Sequence, residues 1–209
     1  MDTREVWRID PESSTLRFSL RHKLLGQLSG QFECWGGQIL FDRADQKRSA
    51  VRIWVDLSSI DTGSNARDEY ILSTHLFDVH WEPALVFDSD HVDIDDAEHA
   101  AVVGWLTLQA VRKRVVVEIE ASVPQPERGG AQRFICSARA SISRAAFGLR
   151  RSHRGGDLLS DAMLGEEIDM LAQIEATGVP STPITNDSAA HPVRGMACGV
   201  PPASTEVST

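Results

Sequence analysis

Between residues 7 and 176 apolar and polar side chains alternate with a period of two, the pattern of strands that bury one face and wet the other. Leu16, Phe18 and Leu20 oppose Arg17, Ser19 and Arg21; Val51, Ile53 and Val55 oppose Arg52, Trp54 and Asp56. Leu85 and Phe87 resume the alternation after Pro83, and Val102, Gly104, Leu106 and Leu108 continue it. Val115, Val117, Ile119 and Ala121 follow, then Phe134, Cys136, Ala138, Ala140 and Ile142, and finally Ile168, Met170, Ala172 and Ile174.

Faces that differ this consistently belong to antiparallel sheets, because parallel sheets covered by helices read as unbroken apolar runs. About eight such strands, joined by short turns such as PQPERGGAQ at residues 124–132, predict an all-β closed up-and-down barrel or a sandwich. The period breaks twice. Residues 65–72 read as a short helix that Ser64 or Asn65 caps, with Asp68 and Glu69 in its first turn, and residues 150–164 form a glycine-containing, partly basic connection. Five of the nine prolines lie at or beyond Pro180 without any apolar period, so the expected division is a domain at residues 1–176 and a disordered tail at residues 177–209.

Composition narrows the function classes. A formal charge of −9 over 209 residues disfavours a nonspecific grip on nucleic acid. Cys34, Cys136 and Cys198 show no CxxC spacing; at most Cys34 and Cys136 would pair, and free buried thiols are the expected state. The first residues carry no apolar stretch of signal type and no run of about 18 apolar residues occurs, so the expectation is a soluble cytoplasmic protein.

Several segments taken in order resemble the YceI-like family of lipocalin-fold, polyisoprenoid-binding proteins. WRIDPESSTLRFSLRH at residues 7–22 is similar to its opening strands, and GQFECWGG at residues 30–37 to its glycine-aromatic strand. VDLSSIDTG with ARDEYI at residues 55–71 is the most specific match, followed by HLFDVHWEPALVF (75–87), VGWLTLQ (103–109) and ISRAAFGL (142–149). The chain departs at Ser13, where the family often has His, at His75, where it often has Asp, and at Ala110, Arg112 and Arg114, in place of Gly, Thr and Pro. The resemblance implies an eight-stranded antiparallel lipocalin-like barrel with a short helix closing one end, whose tunnel holds a long isoprenoid chain, often in a homodimer. It implies no enzyme and no cofactor other than a bound lipid.

The expected ligand-binding set is Leu16, Phe18, Leu20, His22, Phe32, Val51, Ile53, Val55, Leu85, Phe87, Leu106, Leu108, Phe134, Ala138, Ile142, Arg144, Ile168 and Met170, with Tyr70, Ile71, Leu76 and Phe77 as a lid. The same residues would equally fill a closed core, making the barrel a structural module that dimerises, with Trp54 as an exposed anchor. Small inward residues, Gly104, Cys136, Ala138, Ala140 and Ala172, favour an open lumen. At about 0.8 kcal/mol per buried methylene, one five-carbon isoprene unit is worth roughly 4 kcal/mol before ordering costs, so an apolar tunnel suffices for binding.

His22 lies in phase with Leu20 and either meets the polar end of a ligand or is a satisfied structural group. Arg144, in phase with Ile142, needs either a carboxylate such as Asp56 or Asp61 or a phosphate or quinone oxygen. The basic runs at residues 112–114 and 150–154 are solvated faces or, gathered at one barrel mouth, a site of transient membrane contact. The spacing of His75 and His80 does not suit a metal pair. Ser58, Ser59, Asp61, Thr62, Arg67 and Asp68 hold atoms for acyl transfer, yet no histidine lies in that motif and no GxSxG, P-loop or GxGxxG occurs, which leaves a hydrolase as a remote reading.

Overall fold

A computed structural model describes residues 4–42, 44–72, 83–96, 98–122, 125–126, 132–149 and 163–178. Its strands are β1 (Glu5–Ile9), β2 (Thr15–His22), β3 (Gly26–Phe32), β4 (Trp35–Phe41), β5 (Ala50–Asp56), β6 (Ile60–Asp61), β7 (Ala84–Ile94), β8 (His99–Leu108), β9 (Val111–Ala121), β10 (Gln125–Pro126), β11 (Gln132–Ser143) and β12 (Leu164–Gly178). A helix, α1 (Asn65–Leu72), separates β6 from β7, over the residues the sequence pattern predicts.

These segments form eight antiparallel staves, because three of the staves are bent. β1 and β2 lie along one edge of β12, with Ile9 opposite Ala176 and Thr15 opposite Gln173. The bend between them follows from the Asp10-Pro11 pair: the Asp10 carboxylate accepts from the Glu12 N–H at 3.1 Å and the Ser13 hydroxyl at 2.9 Å, a side-chain turn that interrupts the ladder. β3 pairs with β2 and β4 with β1, so residues 26–41 follow the same bend. β5 pairs with β4 and β6 with β3, and the Ser59 hydroxyl accepts the Cys34 N–H at 2.9 Å where that third stave turns.

β7, β8, β9 and β11 continue as a meander, and β11 pairs with β12 from Gln132–Gly178 to Ser143–Glu167, which closes the ring. Closure pairs the long strands along most of their edges, while residues 111–117 of β9 have a ladder partner in β8 alone. The ladder between β9 and β11 is short, joining residues 118–121 to 136–139.

In an up-and-down barrel successive connections alternate between the two ends. The tip after β2, the crossing that carries α1, the turn after β8 and the Arg144–Leu149 turn therefore share one end. At the opposite end Trp7 meets Phe41 and Phe134 edge-on, with centroids 6.4 and 6.1 Å away, an aromatic stopper built from β1, β4 and β11. Phe134, expected to touch ligand, belongs to this stopper.

Cys136 is a free buried thiol, pushed up to about 12 by burial, whereas Cys34 is disulfide-bonded, so the expectation of free thiols fails there. His75, His80, Leu76, Phe77, the basic run at residues 150–154 and nearly all of the expected tail lie outside the described residues.

Candidate functional site

The inward faces of the staves enclose two adjoining apolar cavities of about 60 and 120 Å³. Roughly 10–15 Å³ holds one water, so neither space is a packing defect. The larger is walled by Leu16, Trp35, Val51, Ile53, Val55, Phe87, Leu106, Ala138, Ala140 and Ala172 among others. The smaller lies toward the α1 end, between Phe18, Leu20, Phe32, Leu108, Ile168 and the helix residue Ile71. Leu85, Ile142 and Met170 line both, so they form the junction. Met170 is its unbranched, adaptable member.

Side-chain size explains where the lumen is open. Ala138 and Ala172 face each other across the β11–β12 ladder and leave room in the larger cavity. Gly104 does not leave room as expected, because the Phe87 ring fills its place: an added Cβ would lie 2.6 Å from Phe87 Cζ and 2.5 Å from the Asp88 carbonyl oxygen. Gly30 is covered in the same way by Phe18, its cross-strand partner.

Polar residues stand around the smaller cavity at the α1 end. Arg144, 2% exposed, lines the smaller cavity and donates from Nη1 to the Gly165 carbonyl and from Nη2 to the Leu149 carbonyl, both at 3.0 Å. Those bonds fasten the turn after β11 to the start of β12. The carboxylates expected for it are engaged elsewhere, Asp56 with the Ser58 N–H at 2.9 Å and Asp61 with the Gly63 N–H at 2.8 Å. Arg67 and Thr62 line the same cavity. Arg67 Nε donates to Thr62 Oγ1 at 2.7 Å, its Nη2 donates to the Thr62 carbonyl, and the Thr62 N–H and hydroxyl donate to Asp68 Oδ1. Two arginine side chains thus stand beside the smaller of two apolar cavities, with guanidinium N–H groups bonded to Thr62, Gly165 and Leu149.

A family model described as a YceI-like domain matches residues 7–176. The chain belongs to the YceI-like family. A relative called UPF0312 protein, from Pseudomonas aeruginosa (strain LESB58), is 24% identical over 171 residues, covering 81% of this chain and 85% of the relative. Burkholderia cenocepacia BcnA superposes with a TM-score of 0.67 at 19% identity, over 80% of this chain and 98% of that one. A polyisoprenoid binding domain from Saccharophagus degradans, implicated in plant cell wall breakdown, superposes with a TM-score of 0.58 at 14% identity, over 82% and 98%. At such identities the solved structures share the fold.

In this YceI-like barrel the expected ligand-binding residues line the two cavities with two exceptions, and of the expected lid Ile71 lines the smaller cavity whereas Tyr70 lines neither. Phe134 sits in the stopper, and His22, 2% exposed, lines neither cavity. The His22 Nδ1 accepts the N–H groups of Leu24 and Leu25 at 3.1 and 3.0 Å, which places its ring under the tip after β2. Trp54 is half-buried over Gly36 and not an exposed anchor. Arg112 lies over the Trp105 ring at 4.8 Å and Arg114 pairs with Asp90 at 2.9 Å, so both serve the outer wall. Sequence reasoning placed Arg67 and Thr62 in a possible catalytic motif rather than in the lumen wall. The signal that locates them is the helix start: Asp68 reaches back to Thr62 and draws Arg67 inward with it. Among the described residues no helix is long and apolar enough to cross a membrane.

Proposed function

We propose that this barrel binds a long-chain isoprenoid amphiphile, a polyprenyl chain or an isoprenoid quinone, noncovalently and carries it in its lumen. The observation that carries this reading is the pair of adjoining apolar cavities, with Arg67 and Arg144 among the residues around the one at the α1 end. The apolar chain lies along Leu16, Phe18, Ile53, Phe87, Ala138 and Met170, and the polar head meets Arg67 and Arg144. The description of the Saccharophagus neighbour as polyisoprenoid binding supports the ligand class. Burial drives association, since each methylene contributes about 0.8 kcal/mol, and a charge-assisted bond to a phosphate or carbonyl oxygen orients the head.

The hydroxyls of the SSIDTG segment carry structural bonds. Ser58 Oγ donates to Asp56 Oδ1 at 2.6 Å, Ser59 Oγ to the Asp56 carbonyl at 2.6 Å, and Thr62 Oγ1 to Asp68. In the reading proposed here they hold the crossing over the barrel end and do no covalent chemistry.

Trp35 lines the larger cavity and gives a direct test. Titration with a detergent-solubilised isoprenoid quinone quenches its fluorescence saturably, and Trp35→Phe removes most of the change. A response that never saturates, or one that Trp35→Phe leaves intact, would oppose the reading.

A further inference from the structure

The tip between β2 and β3 is Lys23-Leu24-Leu25, and its leucines are 69% and 55% exposed, more than any other large hydrophobic residue among the described residues. Arg21, Lys23 and Gly26 flank them and are exposed as well. A pair of adjacent leucines at a polar, glycine-ended hairpin tip does nothing for the core. The same hairpin does line the lumen two rungs away, where Leu20 and Leu28 face each other and the smaller cavity. The Lys23 N–H donates to the Met163 carbonyl at 2.9 Å, which ties the tip to the start of β12, where Leu164 also lines that cavity.

The backbone of the tip is arranged for a medium poorer than water. The His22 ring nitrogen accepts both the Leu24 and the Leu25 N–H groups. An unpaired donor entering hydrocarbon costs several kcal/mol, and this clamp removes two of them from the two residues that would enter. The acceptor role fixes the ring proton on Nε2.

We propose that Lys23-Leu24-Leu25 is the point at which the barrel docks on a lipid bilayer, with both leucines in the acyl boundary and Lys23 and Arg21 at the headgroups. This deepens the carrier reading and rests on it, since docking at this end brings the smaller compartment, with Arg67 and Arg144 beside it, to the surface from which an amphiphile comes. The chain's net charge of −9 opposes adsorption of the molecule as a whole, so the leucines supply the main term and the flanking cations a local one. A second copy of the chain is the lesser fit, because two leucine side chains fall far short of the roughly 800 Å² per partner that a stable interface buries.

The test is co-sedimentation of the full chain with vesicles of phosphatidylcholine and with vesicles of equal parts phosphatidylcholine and phosphatidylglycerol. The lipid content of the lumen is read separately by native mass spectrometry after loading from detergent micelles. The double variant Leu24→Ser with Leu25→Ser is expected to weaken partitioning on the order of a hundredfold, since each exposed leucine is worth about tenfold on insertion. Lys23→Glu weakens it by more than about fivefold on the anionic vesicles alone. Both variants load lumen lipid as the wild type does.

Vesicle binding that the serine variant leaves unchanged overturns the proposal, as does a wild type that ignores both vesicles. A wild type that self-associates through the tip, loses that association in the serine variant and ignores vesicles also overturns it, in favour of a dimer contact. If the wild type docks through the leucines yet never retains lipid, docking stands and the carrier reading falls.

Discussion

Ala138→Phe separates a functional lumen from a filled core by the sign of its effect. Ala138 points into the 120 Å³ cavity from β11, with Ala172 and Ile119 as its ladder neighbours on either side, all three lining the same space. If that space is open, a phenyl ring enters it without displacing the wall. At about 24 cal/mol per Å³, removing a cavity of 120 Å³ is worth at most about 3 kcal/mol, and the ring recovers part of that. For a domain of this size such a gain raises Tm by up to roughly 6–12 °C in lipid-free protein. In a tightly filled barrel the same ring overpacks the core and costs about 1–3 kcal/mol. The assay is urea and thermal unfolding of delipidated wild type and variant, alongside quinone titration. The reasoning requires higher stability together with lost binding. A variant that is less stable, or that binds as well as wild type, refutes it.

Other outcomes follow from single positions. Gln109 and Ala110 form the two-residue β8–β9 turn with φ of 49° and 59°, so Ala110→Gly relieves left-handed backbone strain and stabilises by about 1 kcal/mol in denaturant unfolding. Burial holds the Cys136 thiol at about 12, so peptide mapping after native iodoacetamide treatment at mildly alkaline pH finds it unmodified, and unfolding exposes it. Hydrogen bonds from the Glu98 and His99 backbone and from the His99 ring hold the Asp96 carboxyl below its ordinary 3.8, and Asp96 in turn raises His99 above 6.5. The Asp96 contribution is lost as pH falls below 3.8 and the His99 contribution as pH rises through its raised value, so the Tm deficit of His99→Gln is largest between 3.8 and 6.5 and shrinks on both sides.

Much of the architecture is legible because a barrel wall is a period-two object. Leu106 and Leu108 or Ile168 and Met170 declare their face through their polar neighbours, and the helix at residues 65–72 declares itself by breaking that period. What alternation cannot report is depth along the barrel axis. Phe134 and Phe87 obey the same rule, yet one stoppers an end with Trp7 while the other lies across Gly104 inside the lumen. Small residues mislead for a related reason: Gly104 and Ala138 read alike, but only a cross-strand neighbour tells which place is already taken. His22 and Arg144 are both buried, yet only Arg144 stands beside a cavity. Both bond main-chain groups in turns, Leu24 and Leu25 for one and Gly165 and Leu149 for the other, and such turn contacts leave little trace in side-chain pattern. Arg67 is the converse case, a residue whose motif suggested chemistry and whose position follows from Thr62 and Asp68 at the start of α1.

The central claim is that the lumen holds an isoprenoid amphiphile, and the most direct measurement is mass spectrometry of the lipid released by organic extraction of natively purified protein. The account predicts a prenyl-chain lipid near one per chain, reduced to background in Ala138→Phe. Protein that carries no lipid, or that carries only bulk phospholipid equally in wild type and variant, would contradict it.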